Sequence, residues 1–379
     1  MLKKFFSLFL VSVICFVNSV FAAEPAGGYA RAAIVIDGGT GKVLYEKNAY
    51  EKLGMASTTK IMTALCGIEF GNLEGEVKVS NRAAGVEGSS MYLKAGEKIS
   101  LYNIITGLML VSGNDAATAI AENVAGSEGG FVLLMNQKAN EIGAYNTCFQ
   151  NPHGLSDPGH YTTAYDLAKI TAYAMKKPIF SEIVSQKSKT VESIGGGKRT
   201  LVNHNKLLRI YDGCIGVKTG FTKATGRCLV SAARRDGLTL ICVTLNDGND
   251  WNDHMMMLDR GFLNYKASPL VKKGAVLAKA KVVGGSERNV ELIAKNDESV
   301  AVKKGKISKL SVSVSENIYL EAPIEKGKAY LKADVLENGK KVGEINLVAA
   351  EDVAVKDKKE KKSKKGFFDW IFRKNKGSS

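Results

Sequence analysis

Strand-like runs stand at both ends of the first two-thirds of this chain, and helical patterns lie between them. Residues 32–36 and 43–45 are rich in apolar and β-branched side chains and flank Asp37-Gly38-Gly39-Thr40-Gly41, the composition of a hairpin turn. Residues 215–218, 228–233 and 239–245 are three more such runs, the last two joined by Arg234-Arg235-Asp236-Gly237. Between the two groups, residues 57–68, 101–110, 116–124, 131–142 and 165–175 carry apolar side chains at helical spacing, and residues 254–263 close the segment as a further helix. This order predicts an α+β fold whose antiparallel sheet joins the first hairpin to the last strands, with helices packed on it. From about Val271 the pattern changes. Residues 276–283, 290–293, 299–302, 309–314, 319–322, 329–336 and 341–347 are short alternating runs separated by Gly, Asn and Lys, which predicts a small all-β domain.

The two ends of the chain read differently from its body. Lys3 and Lys4, an apolar run over residues 5–17 and the small-x-Ala-like Val20-Phe21-Ala22 form an export signal. The apolar run is short for a membrane span. Across the 379 residues the formal net charge is +15, and residues 356–376 hold ten Lys/Arg against three Asp/Glu, a net of +7. About half the excess thus lies in a tail, whereas a nucleic-acid surface spreads its charge over a folded face. No nucleic-acid partner is expected. In the tail, Phe367, Phe368, Ile371 and Phe372 fall on one broad helical face beside Arg373 and Lys374, the pattern of an anchor lying on an anionic membrane surface. The expected plan is a signal peptide at 1–22, an α+β domain at 23–268, a β-rich domain at 271–350, a basic linker at 351–365 and an amphipathic tail at 366–379. Cys66, Cys148, Cys214, Cys228 and Cys242 follow the signal. Their odd number and irregular spacing give no metal pattern and read as buried free thiols, with a Cys228–Cys242 bridge as the alternative.

Three short motifs carry chemistry. Ser57-Thr58-Thr59-Lys60 is the one S-x-x-K of the chain, and it sits at the start of a helical pattern. At that spacing nucleophile and base share one helix face. A serine hydroxyl needs a base beside it, and a lysine serves only if burial and neighbouring positive charge lower its pKa. Ser112-Gly113-Asn114 offers a hydroxyl and an amide where a helical pattern breaks. Lys218-Thr219-Gly220 offers a cation and a hydroxyl on a strand, with a glycine that admits a ligand to the backbone. Acyl transfer needs this kit: a nucleophile, a proton shuttle, an oxyanion hole and a grip on the substrate carboxylate. Each motif alone is weak. The ordered set in an exported chain is specific.

With these motifs and with Ala56-Ser57-Thr58-Thr59-Lys60-Ile61-Met62-Thr63, Asn151-Pro152-His153-Gly154-Leu155 and Gly216-Val217-Lys218-Thr219-Gly220-Phe221-Thr222, the chain resembles the low-molecular-mass penicillin-binding proteins, serine-type D-alanyl-D-alanine carboxypeptidases. The resemblance covers the whole chain. It implies a penicillin-recognising catalytic domain of the β-lactamase/transpeptidase type, a β-rich domain and a C-terminal anchor, on the outer face of the bacterial cytoplasmic membrane. It implies that Ser57 attacks the carbonyl between two terminal D-alanines of peptidoglycan stem peptides, with Lys60 as base alone or in concert with Ser112. The N–H groups of Ser57 and Phe221 would form the oxyanion hole. Ser112 and Lys218 would pass a proton to the leaving D-alanine, Asn114 would orient Lys60 and the substrate amide, and Lys218 and Thr219 would hold the terminal carboxylate beside Gly220. β-Lactams would acylate the same serine. Relatives often carry histidine where Phe221 stands, a difference of small consequence if only the backbone N–H is used.

Three other readings compete. A class A β-lactamase adds a glutamate in an E-x-x-L-N loop, and no such stretch lies between Asn114 and Lys218. D,D-Endopeptidase or transpeptidase activity shares the acyl-enzyme step and differs only in the acceptor. A zinc peptidase would use His153, His160 and Asp166, whose spacing fits no strict zinc pattern; no metal or cofactor is expected. An inactive wall-binding homologue would be expected to have lost a motif, and all three are intact.

Overall fold

The computed structural model describes residues 28–356. The signal segment and the amphipathic tail lie outside the described residues. The chain opens with β1 (Ala30–Asp37) and β2 (Val43–Lys47). Helices α1 (Lys60–Phe70), α2 (Leu101–Leu110), α3 (Asn114–Ala125), α4 (Glu128–Ile142) and α5 (Ala164–Met175) follow. Strands β3 (Cys214–Thr222), β4 (Gly226–Arg235) and β5 (Leu238–Asp247) then lead into α6 (Asp250–Asn264).

The five strands form one antiparallel sheet in the order β2-β1-β5-β4-β3, so the first hairpin is closed against the last strands as the sequence predicts. The sheet is buried on both faces, which is why its strands read as continuous apolar runs rather than as alternating ones. Ile34, Ile36, Val230, Ile241 and Val243 point into the helical layer of α1 to α5. Val35, Leu229, Leu240 and Cys242 point the other way, onto Met257 and Leu258 of α6. Cys228 faces the helical layer and Cys242 faces α6. Side chains on opposite faces of a sheet cannot be bridged, and all five described cysteines are free. Cys66, Cys228 and Cys242 are buried, while Cys148 and Cys214 are only half-buried.

After α6 come β6 (Tyr265–Val271), β7 (Val276–Val283), β8 (Asn289–Ala294), β9 (Glu298–Lys303), β10 (Leu310–Ser313), β11 (Tyr319–Glu321), β12 (Ala329–Glu337) and β13 (Lys340–Ala349). Six of them form a sheet in the order β10-β12-β13-β8-β7-β11, around Val290, Leu292, Val335, Ile345 and Leu347. Strand β6 pairs with β9 and is not among the runs read from the sequence, because Ser268 and Pro269 interrupt its pattern. The turn after β1 ties the two sheets together. Asp37 accepts hydrogen bonds from Thr40 Oγ1 (2.7 Å) and from the Ala301 N–H (3.0 Å). Lys42 Nζ donates to the Ala301 carbonyl and pairs with Glu337, each at 2.7 Å.

His254 shows how far the core relies on neutral polar groups. It is fully buried on α6, with Nδ1 2.6 Å from Ser231 Oγ and Nε2 3.0 Å from Thr244 Oγ1. Burial pushes its pKa down to about 3. Between that value and the unfolded value near 6.5, only the unfolded chain binds the proton, so stability falls as pH drops through this window. In His254→Gln, the slope of unfolding free energy against pH between about 6 and 4 should fall by up to about 1.4 kcal/mol per pH unit. Denaturant titrations at stepped pH values check this; an unchanged slope would assign the acid sensitivity elsewhere.

Candidate active site

The nucleophile turn is not the first turn of an α-helix, as the sequence pattern suggests, but a 3-10 turn over Ala56–Thr59 from which α1 grows. Thr58 Oγ1 bonds the Met55 carbonyl at 2.6 Å, and Thr59 Oγ1 bonds the Ala56 carbonyl at 2.7 Å. Side chains three apart eclipse in a 3-10 turn. Ser57 is half-buried there, and its Oγ lies 3.0 Å from the Nζ of the fully buried Lys60.

Lys60 Nζ has two further neighbours, Asn114 Oδ1 at 2.7 Å and the His153 carbonyl. The amide of Asn114 is held in that sense because its Nδ2 donates to the Glu87 carbonyl at 2.6 Å. A neutral amine has two N–H groups and one lone pair. Two acceptors that cannot donate therefore take both protons and leave the lone pair for the Ser57 hydroxyl. Burial, reinforced by the Lys218 charge and opposed by Asp115, holds the Lys60 pKa well below its ordinary value. Lys218, itself buried, is pushed down to about 7.

The other motifs arrive on separate elements. Ser112 is buried in the break between α2 and α3, with φ +63°, and Asn114 is the first residue of α3. Asp115 fixes the facing loop by accepting from the Met91 N–H (3.0 Å), the Leu93 N–H (2.9 Å) and Ser90 Oγ (2.6 Å). Lys218, Thr219 and Gly220 lie on β3, the outer strand of the sheet. A Cβ on Gly220 would sit 3.1 Å from both the Ser57 and Thr58 nitrogens, so the strand passes flush against the nucleophile turn. Phe221 follows with its side chain largely exposed. Ser57, Lys60 and Asn114 are thus joined by hydrogen bonds, Gly220 meets Ser57 by backbone contact, and Lys218 acts on Lys60 through its charge. No hydrogen bond links the Ser112 hydroxyl to these groups.

Four supports are not legible in the motifs: the carbonyls of Glu87 and His153, the carboxylate of Asp115, and His160. Two are backbone groups and carry no side-chain signature. The His153 carbonyl is aimed by Asn151, whose Oδ1 accepts from the Gly154 N–H at 2.7 Å and whose Nδ2 donates to the Leu155 carbonyl at 3.0 Å. His160 sets Nε2 2.7 Å from Thr59 Oγ1 and accepts from the Gln150 N–H at 3.0 Å. Burial pushes both His153 and His160 down to about 4, so both are neutral imidazoles near pH 7. Asp166 is occupied elsewhere, by the Asn146 N–H at 2.7 Å and Thr147 Oγ1 at 3.1 Å. Among the described residues, no group of three or more His, Cys, Asp or Glu could hold a metal ion.

The family description D-alanyl-D-alanine carboxypeptidase matches residues 19–249, and that of the penicillin-binding protein 5 C-terminal domain matches residues 265–355. D-alanyl-D-alanine carboxypeptidase DacF of Bacillus subtilis is 33% identical over 371 residues, covering 93% of this chain and 95% of the relative. D-alanyl-D-alanine carboxypeptidase DacC of Escherichia coli is 33% identical over 359 residues, covering 89% and 88%. The solved structure of penicillin binding protein 5 from Haemophilus influenzae aligns with a TM-score of 0.65 at 29% identity, covering 86% of this chain and 98% of that one. Fold and comparisons define a serine peptidase of the penicillin-binding class. The chain belongs to the D-alanyl-D-alanine carboxypeptidase family.

Proposed function

We propose that this enzyme removes the terminal D-alanine from peptidoglycan pentapeptide stems through an acyl-Ser57 intermediate. The single observation that carries this reading is the Lys60 amine, buried, with two fixed acceptors and one free direction towards Ser57 Oγ. Lys60 takes the hydroxyl proton as Ser57 Oγ bonds to the penultimate D-alanine carbonyl. The N–H groups of Ser57 and Phe221 receive the developing oxyanion, the kind of preorganised donor pair that commonly contributes most to such rates. Lys218 and Thr219 hold the terminal carboxylate, and Asn114 holds the substrate amide. As the C–N bond breaks, the proton that Lys60 took passes through Ser112 and Lys218 to the leaving nitrogen, and Lys60 is neutral again. Water, its proton taken by Lys60, then adds to the ester, and Lys60 returns that proton to Ser57 Oγ as the ester C–O bond breaks. A β-lactam follows the first half of this path, but its leaving group stays tethered.

Intact-mass analysis after incubation with penicillin tests the reading. Wild type should gain one adduct that persists for many minutes, and Ser57→Ala should gain none. No adduct on folded wild type would overturn it, and rapid loss with turnover would favour a β-lactamase.

We also propose that the enzyme is exported and works at the outer face of the cytoplasmic membrane, held on anionic lipid by residues 366–379. The backbone N–H of Lys356 bonds the Gly284 carbonyl, which sets the tail's departure at the β-sheet unit. Deleting residues 366–379 should move the protein from the membrane pellet to the soluble fraction with penicillin labelling unchanged. A truncated protein that still pellets would require another anchor.

A further inference from the structure

A cavity of about 640 Å³ opens beside the nucleophile turn, walled by Met55, Ala56, Gly154, Leu155 and Thr225. Ser57 does not line it. Three charged groups stand at its rim, Arg31, Lys52 and Asp157. Arg31 is paired with Glu51, whereas Asp157 accepts from the Gly159 N–H at 2.7 Å, a bond that orients its carboxylate without pairing it to a cation. Lys52 forms no ion pair among the described residues. Its ammonium lies 4.9 Å from the centre of the Tyr161 ring, and the carboxylate that feels its charge, Asp166, makes no direct contact with it.

The polarity of β3 says which part of a substrate would come here. In the reading above, Lys218 and Thr219 hold the terminal carboxylate, and Gly220 lies against Ser57 N. The acyl side of the scissile bond therefore lies beyond Gly220, towards Thr222 and the turn that ends at Thr225. Thr225 is a wall of the cavity and presses on Gly54 on its far side: a Cβ on Gly54 would sit 2.5 Å from Thr225 Cγ2. Extended peptide advances about 3.3–3.6 Å per residue, so the second and third residues before the scissile bond leave the acyl carbonyl in this direction.

We propose that this cavity is an acyl-side subsite for a carboxylate-bearing stem residue, with Lys52 as the group that recognises its charge. The inference rests on the carboxypeptidase reading and adds to it a charge preference at a position remote from the reaction. Lys52 is exposed, so its pairing has the modest strength of a surface ion pair. That corresponds to about fivefold in kcat/KM.

The test uses two synthetic pentapeptides, L-Ala-γ-D-Glu-L-Lys-D-Ala-D-Ala and the same peptide with the free glutamyl carboxylate converted to its amide. Release of D-alanine is followed with the full chain. Wild type should prefer the acidic peptide about fivefold, and Lys52→Glu should bring the ratio below one. A wild-type ratio within 1.5 of unity, or a ratio that Lys52→Glu leaves in place, would overturn the proposal. Penicillin labelling separates the two possible failures. An intact adduct with an unmoved ratio fails the subsite alone, and a missing adduct fails the catalytic reading. In the second case, calorimetric binding of the same two peptides to the Ser57→Ala protein reads the subsite directly, with the same ratio as the criterion.

Discussion

Lys60→Met should remain folded and be acylated by penicillin about a thousandfold more slowly than wild type, the range expected for loss of a positioned general base. Methionine fills a similar volume and spares the fold the cost of burying an amine. That substitution leaves Asn114 Oδ1 and the His153 carbonyl without their donor, at about 1–3 kcal/mol each. The two effects oppose each other, so the net change in stability is small beside the change in rate. The pH dependence gives an independent sign. In the proposed mechanism Lys60 acts as base only when neutral, so wild-type acylation should rise with pH through its depressed pKa, until loss of the Lys218 proton near pH 7 weakens the hold on the carboxylate and turns the rate down. The methionine variant should lack the rising limb. Time-resolved mass spectra from pH 5 to pH 9 measure both. A variant that retains the limb would assign the proton transfer to another group, and one labelled at the wild-type rate would remove Lys60 from the chemistry.

Much of this arrangement was legible in the sequence, and what was not has physical causes. The three central strands of the five-stranded sheet are apolar on both faces and stand out from the helices between them. In the β unit the short apolar runs at residues 276–283 and 329–336 coincide within one residue with the observed strands. The hairpin of Ser188–Glu192 with Lys198–Val202 leaves no strand pattern in the sequence because only Val191 and Leu201 are buried in it. Apart from the exposed Val202, its remaining positions are polar and look like a loop. The motifs single out Ser57, Lys60, Asn114, Lys218 and Gly220 because the chemistry expected of them depends on residue type. They could not locate the Glu87 and His153 carbonyls, since every residue has one. Nor could they show that Ser57 lies in a 3-10 turn. That depends on a left-handed Ala56, with φ +47°, and on the loop packed against it.

That loop carries the second large effect. Gly154 follows His153, whose carbonyl holds Lys60, and its φ of +87° lies where L side chains are strained. A Cβ there would sit 2.0 Å from the Ala56 carbonyl oxygen and 2.5 Å from its carbon. Both atoms are backbone, so no side chain can swing aside, and either the nucleophile turn or the 151–155 loop must move. Gly154→Ala should therefore cost about 3 kcal/mol or more in stability, from conformational strain and backbone overlap together. In whatever fraction folds, a shift at Ala56 displaces Ser57, and a shift at residue 153 frees one Lys60 N–H from its acceptor. Displacement of reacting groups by about 1 Å can cost a hundredfold in rate. Acylation per folded molecule should therefore fall by at least that factor. Gly129→Ala is the control: it lies in α4 with nothing within 4 Å of the added carbon, and it should leave melting temperature and labelling essentially unchanged. Thermal unfolding combined with penicillin labelling corrected for folded fraction tests both claims. If Gly154→Ala melted like wild type and labelled at the wild-type rate, the 151–155 loop would not be the support of the nucleophile turn. If it melted low but labelled normally when folded, the loop would stabilise the fold without positioning Lys60.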